Sequence, residues 1–115
     1  MNIAVVDAGA NLVAFERMDG AFLGSGQIAE SKAIASARFP FPTRRFGELA
    51  FGKDNKGGPV PGIAFVPGVV TFAGGLPIKT ADGAQIGAVG VSGGTADQDE
   101  TCAQAALDAA ADMLK

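Results

Sequence analysis

Leu76-Pro77-Ile78-Lys79-Thr80-Ala81-Asp82-Gly83-Ala84-Gln85-Ile86-Gly87-Ala88-Val89-Gly90-Val91 holds two apolar runs joined through Asp82-Gly83. An Asp-Gly pair between two such runs is a strong short-range signal for a β-hairpin, because the tight turns that match strand twist need positive φ. Upstream, Val69-Val70-Thr71-Phe72 reads as a further strand, cut off at Gly74-Gly75. Downstream, Gly93-Gly94-Thr95 leads into a helix expected over 97–115. Asp97 and Glu100, three residues apart, form an acidic version of the capping box there, and Ala103, Ala106, Leu107, Ala110, Met113 and Leu114 make one apolar stripe.

The N-terminal half repeats the hairpin idea and then changes period. Ile3-Ala4-Val5-Val6 stops at the turn cluster Asp7-Ala8-Gly9-Ala10-Asn11, and Leu12 to Met18 forms the returning strand. Its alternation does not say which face is buried. Ser25 is the expected N-cap of a helix over Gln27 to Arg38, whose face of Ile28, Ala29, Lys32, Ala33, Ala35 and Ala37 is narrow and rich in alanine. Phe39-Pro40-Phe41-Pro42 ends it, and Thr43 is placed to cap a short helix, Arg44 to Phe51, that stops at Gly52. The order β-β-α-α-β-β-α, with hairpins at both ends of the sheet, argues an α+β sandwich with a mainly antiparallel sheet.

A chain of 115 residues makes one domain, 1–115. Its 48% hydrophobic content argues against disorder, while its 17 glycines and 22 alanines favour close backbone packing. Without histidine it lacks the commonest general base and transition-metal ligand, and one cysteine, Cys102, builds neither an internal disulfide nor a multi-thiolate metal site. No metal site is expected. A net charge of −3, with no Tyr or Trp, disfavours nucleic-acid binding. No run approaches 18 apolar residues and no basic leader opens the chain, so the expected place is the cytoplasm, away from membranes.

Three stretches carry a resemblance: Val5 to Ala21, Ala73-Gly74-Gly75-Leu76-Pro77-Ile78, and Asp82-Gly83 followed by Ile86-Gly87-Ala88-Val89-Gly90-Val91-Ser92-Gly93-Gly94 and Gln98-Asp99-Glu100. Together they resemble the haem-binding-protein family that includes GlcG-like proteins and the C-terminal domain of PduO-type corrinoid adenosyltransferases. The resemblance implies a profilin-like α/β/α fold, a homo-oligomer, and haem or a related tetrapyrrole as the leading ligand. It also implies a helical segment before the first strand, whereas this sequence opens at that strand. With no histidine, an axial iron ligand would have to be Met18, Met113, Cys102, a lysine, a hydroxyl such as Thr71, or a group from a partner.

The candidate site follows from crowding as well as resemblance. Six of the eight phenylalanines, Phe39, Phe41, Phe46, Phe51, Phe65 and Phe72, fall beside Arg38, Arg44, Arg45, Lys53 and Lys56. Aromatic walls with cations at the rim suit an apolar ring bearing carboxylates, and a phenylalanine core beneath solvated charges fits the same pattern. The resemblance places Gly74-Gly75-Leu76-Pro77-Ile78 at the pocket, so the expected ligand-binding residues are Arg44, Arg45, Phe46, Phe51, Phe72, Gly74, Gly75 and Pro77. The sequence leaves catalysis open. The rival reading is an accessory enzyme acting on a small carboxylic acid, with a carboxylate or lysine as base and Arg44 or Arg45 as anion clamp. Gly90-Val91-Ser92-Gly93-Gly94 matches a nucleophile pattern but has no histidine to serve it. Asp7, Glu16 and Asp19, with Arg17, fit either acid–base chemistry or plain turn-making.

Overall fold

A computed structural model describes residues 1–115. The elements run β1 (Asn2–Asp7), β2 (Leu12–Arg17), α1 (Gly24–Arg38), α2 (Thr43–Phe51), β3 (Gly75–Lys79), β4 (Gln85–Ser92) and α3 (Ala96–Ala109), with short 3-10 turns at Pro61–Phe65 and Ala111–Met113. This is the order expected from the sequence. The strands form one sheet ordered β2-β1-β4-β3, antiparallel at every pairing.

Alternation sorts the two central strands into two cores. Ala4 and Val6 of β1 and Ala88 of β4 pack with Ala29 and Ala33 of α1. On the opposite face Val89 and Val91 of β4 and Leu76 of β3 pack with Ala103 of α3. Small residues let the layers come close. At Gly90 a Cβ would overlap the Ala29 carbonyl and lie 2.5 Å from the Ala33 nitrogen, so α1 rests on bare β4 backbone. Tight α1–β4 contact then fixes where every α1 side chain points.

Local readings fare differently once long-range partners enter. Val69 to Phe72 forms no strand; the Thr71 carbonyl lies against Gly47 in the middle of α2, and pairing begins only at Gly75. Ser25 is not a cap, since α1 already starts at Gly24 and the buried Ser25 hydroxyl bonds with Asn2 and the Phe22 carbonyl. Thr43 caps nothing either: it is the first residue of α2, and its hydroxyl accepts a bond from the Gly75 amide at 3.0 Å. The capping box at α3 belongs to Thr95 and Gln98 rather than to Asp97 and Glu100. α3 ends at Ala109 rather than Lys115; of its expected stripe, Ala103 is buried and Met113 is exposed. Strand β2 is exposed along its length, which answers the question its alternation left open. No helix is long and apolar enough to cross a membrane.

Candidate functional site

Lys32 lies on the alanine-rich face of α1 that Gly90 draws onto the sheet, and it is 0% exposed. Its Nζ donates to the Val91 carbonyl at 2.9 Å and to Asp99 Oδ2 at 3.0 Å, and lies 4.9 Å from the centre of the Phe72 ring. Gly74, at φ 135°, leaves the ammonium its space, since a Cβ there would sit 2.6 Å from Nζ. Burial pushes the Lys32 amine below its ordinary value, and the bond and charge of Asp99 oppose that shift. Asp99 Oδ1 accepts from the Gly94 amide at 2.8 Å. One ion pair therefore joins α1, β4, the Phe72 segment and the turn before α3.

Outside this buried pair lie two clefts separated by Arg44. The first, about 650 Å³, runs between α2 and α3 and is lined by Arg44, Arg45, Glu48, Leu76, Glu100 and Asp108 among others. The second, about 610 Å³, lies between α2 and residues 71–73, with Arg44, Phe51, Lys53, Asn55, Thr71, Phe72 and Asp97 on its walls. Both volumes fall within the range of small-molecule sites. Arg44 Nε donates to both oxygens of Glu100 at 3.1 and 3.2 Å, and its Nη2 donates to Asp97 at 2.5 Å. The bonds to Asp97 and Glu100 raise the Arg44 guanidinium above its already high value.

The expected site residues separate into groups. Arg44, Phe51 and Phe72 share the second cleft, and Arg45 joins Arg44 on the first. Phe46 is fully buried, 5.3 Å from Phe39 and 4.8 Å from Phe41 by ring centres, so it supports the base of α2 from the core and lines neither cleft. Gly74 and Gly75 are buried against Lys32 and Thr43, behind Phe72. Pro77 lies apart, on a groove of about 420 Å³ with Leu107 and Leu114.

Other motifs resolve into structure. Ser92 ends β4 opposite Asn2 and is nearly buried. Of the amides in the glycine turn, Gly94 donates to Asp99 and Thr95 to Gln98, so that turn caps itself. Asp7 closes the first hairpin by accepting from the Gly9 and Asn11 amides, each at 2.9 Å. Cys102 packs half-buried against the α3-side core. Sequence reasoning gave Lys32 no role. One signal pointed to it: a lone cation on a face otherwise made of alanine must either break the packing or be paired.

The fold and its clefts define an α+β sandwich with ligand-sized recesses beside α2. The chain belongs to the HbpS-like haem-degrading protein family, whose profile matches residues 1–108. It is 37% identical over 107 residues to a 15.0 kDa protein of the dhaT-dhaS intergenic region of Citrobacter freundii, covering 91% of this chain and 72% of that one. Among solved structures it is similar to protein ORFY of Klebsiella pneumoniae, with a TM-score of 0.83, 35% identity, and coverage of 93% of this chain and 72% of that one. It is also similar to a PduOC:haem complex, with a TM-score of 0.78, 30% identity, and coverage of 94% and 76%. A doubly substituted HbpS of Streptomyces reticuli has a TM-score of 0.78 at 33% identity, with coverage of 94% and 69%.

Proposed function

We propose that this chain binds a small, flat, anionic ligand, haem or a related tetrapyrrole, in the cleft between α2 and residues 71–73, and does so as a homo-oligomer. The observation that carries the reading is the lining of that cleft: Phe51 and Phe72 supply apolar walls, and Arg44 and Lys53 supply cations. Rings of this kind take the face of a macrocycle, and the cations pair with its carboxylates. The PduOC:haem complex among the similar structures supports the choice of ligand.

The donors present fit a haem held without imidazole. Of the sulfur candidates, Met18 and Met113 are exposed and line no cleft, and Cys102 packs into the α3-side core. Thr71 lines the aromatic cleft, so the protein would offer the iron an oxygen donor, with Lys53 left as a cation for the carboxylates. Bound haem would supply redox and oxygen chemistry; the residues of the chain bind it, orient it and exclude water from one face.

What weighs against the accessory-enzyme reading is the state of the buried lysine behind the cleft wall. Lys32 is fully buried and paired with Asp99 behind Phe72, and so is poorly placed to act as a free base. The homo-oligomer is supported by apolar side chains left open around β2 and the start of α1: Leu12, Val13, Met18, Phe22 and Leu23 are all more than half exposed. The test is titration of the untagged protein with haem, followed by its Soret band, with light scattering on the same sample. Saturable binding that weakens in Arg44→Ala, without a bis-histidine spectrum and in a particle larger than 11.5 kDa, is the expected result. No Soret change at micromolar haem overturns the ligand, and a stable folded monomer overturns the oligomer.

A further inference from the structure

Arg44 is the only residue besides Glu48 common to the two clefts, and its guanidinium is held from the far side of both. Asp97, on the first turn of α3, and Glu100, three residues further along the same face, both bring their carboxylates to one arginine fork. Nε and Nη2 make every bond that Arg44 forms; Nη1 makes none. The Arg44 side chain is 46% exposed and that of Asp97 83% exposed, so water competes for this bridge and its net worth to the fold is small. Each cleft also has a cation of its own. Arg45 stands in the α2–α3 cleft, held only by a 3.9 Å approach to Glu48, and Lys53 stands in the aromatic cleft.

We infer that Asp97–Arg44–Glu100 is a latch dividing one ligand site into two compartments, and that the ligand class is a flat apolar molecule with two carboxylates. Its ring lies against Phe51 and Phe72. One carboxylate takes Arg44 from Asp97 and Glu100, and the second passes into the α2–α3 cleft to Arg45. In the closed state the two acids occupy the place of a ligand carboxylate and repel any anion that approaches. A neutral ligand gains nothing from opening the latch and a monoacid regains only the Arg44 contact, whereas a diacid regains it and adds Arg45. The latch therefore selects by charge count, and it rests on the ligand reading above.

The test uses metal-free protoporphyrin IX, which has two carboxylates and no iron to ligate, with its dimethyl ester as the uncharged control. Binding is followed by porphyrin fluorescence in the full chain. Asp97 is exposed and Glu100 half-buried, and both replacements keep the size and polarity of the side chain, so Asp97→Asn/Glu100→Gln keeps the fold. The diacid is expected to bind that variant about tenfold tighter than wild type, the scale of one charge-assisted contact. The ester is expected to bind the two forms alike. Adding Arg44→Gln should remove the gain, and Arg45→Ala should weaken the diacid but not the ester. Diacid affinity that is unchanged or weaker in the double variant, or an equal gain by the ester, overturns the latch and leaves the ligand reading standing. Absence of saturable porphyrin binding to every form overturns both.

Discussion

Replacing Asp99 by asparagine keeps the shape of the side chain and removes its charge, which isolates what the buried ion pair contributes. In the native protein Asp99 offers one oxygen to the Gly94 amide at 2.8 Å and the other to Lys32 at 3.0 Å. Asparagine has one acceptor for these two donors, and its amide group then faces an ammonium with no water to solvate either. Removing one partner of a buried pair costs about 3–5 kcal/mol, against about 5–15 kcal/mol for the whole stability of a domain. At a urea dependence of about 1.5 kcal/mol/M the unfolding midpoint falls by about 2–3 M. Lys32→Met strands the carboxylate and carries a similar cost. In Lys32→Met/Asp99→Asn no charge is left buried, and the double-mutant cycle should return a coupling of about 2–3 kcal/mol. Urea denaturation of the four proteins, followed by circular dichroism, measures it. A cost under about 1 kcal/mol for Asp99→Asn, or purely additive losses, would refute the claim that burial makes this pair matter. The pair also has a pH signature. Because the folded value of Lys32 lies below 10.5, the unfolded chain holds more protons between those two values, and stability in that window rises with pH. The double variant should lose this rise.

Gly90→Ala is expected to destabilise by about 3 kcal/mol or more, because the added methyl meets backbone atoms of Ala29 and Ala33 that cannot turn aside; a thermal melt within a degree of wild type would show that α1 is not seated on β4 as described. Asp7, held below 3.8 first by the Asn11 amide, should stabilise the first hairpin fully above that value and lose its contribution as pH falls through the lowered one. Asp7→Ala should therefore lie below wild type at neutral pH and converge with it in strong acid, whereas a constant gap across an acid titration would contradict that linkage.

Much of the fold was legible in sequence because it depends on patterns only a few residues long. Asp82-Gly83 between apolar runs, the glycine-rich β4 and the alanine spacing of α1 each require a local conformation, and each took it. Part of the candidate site was legible for the same reason: rings and cations crowded into the middle third do place Phe51, Phe72 and Arg44 around one cleft. Partners far along the chain decided the rest. Lys32 and Asp99 stand 67 positions apart and Arg44 and Asp97 stand 53 apart, and no local period connects such residues. Thr43 had the residue type of a cap but was drawn to the Gly75 amide, and Phe46 had that of a pocket wall but was drawn under Phe39 and Phe41. Local pattern determines which conformations a segment favours. Which side chain is buried, and beside what charge, is settled only when the layers close, because burial and pairing energies depend on neighbours that sequence distance does not reveal.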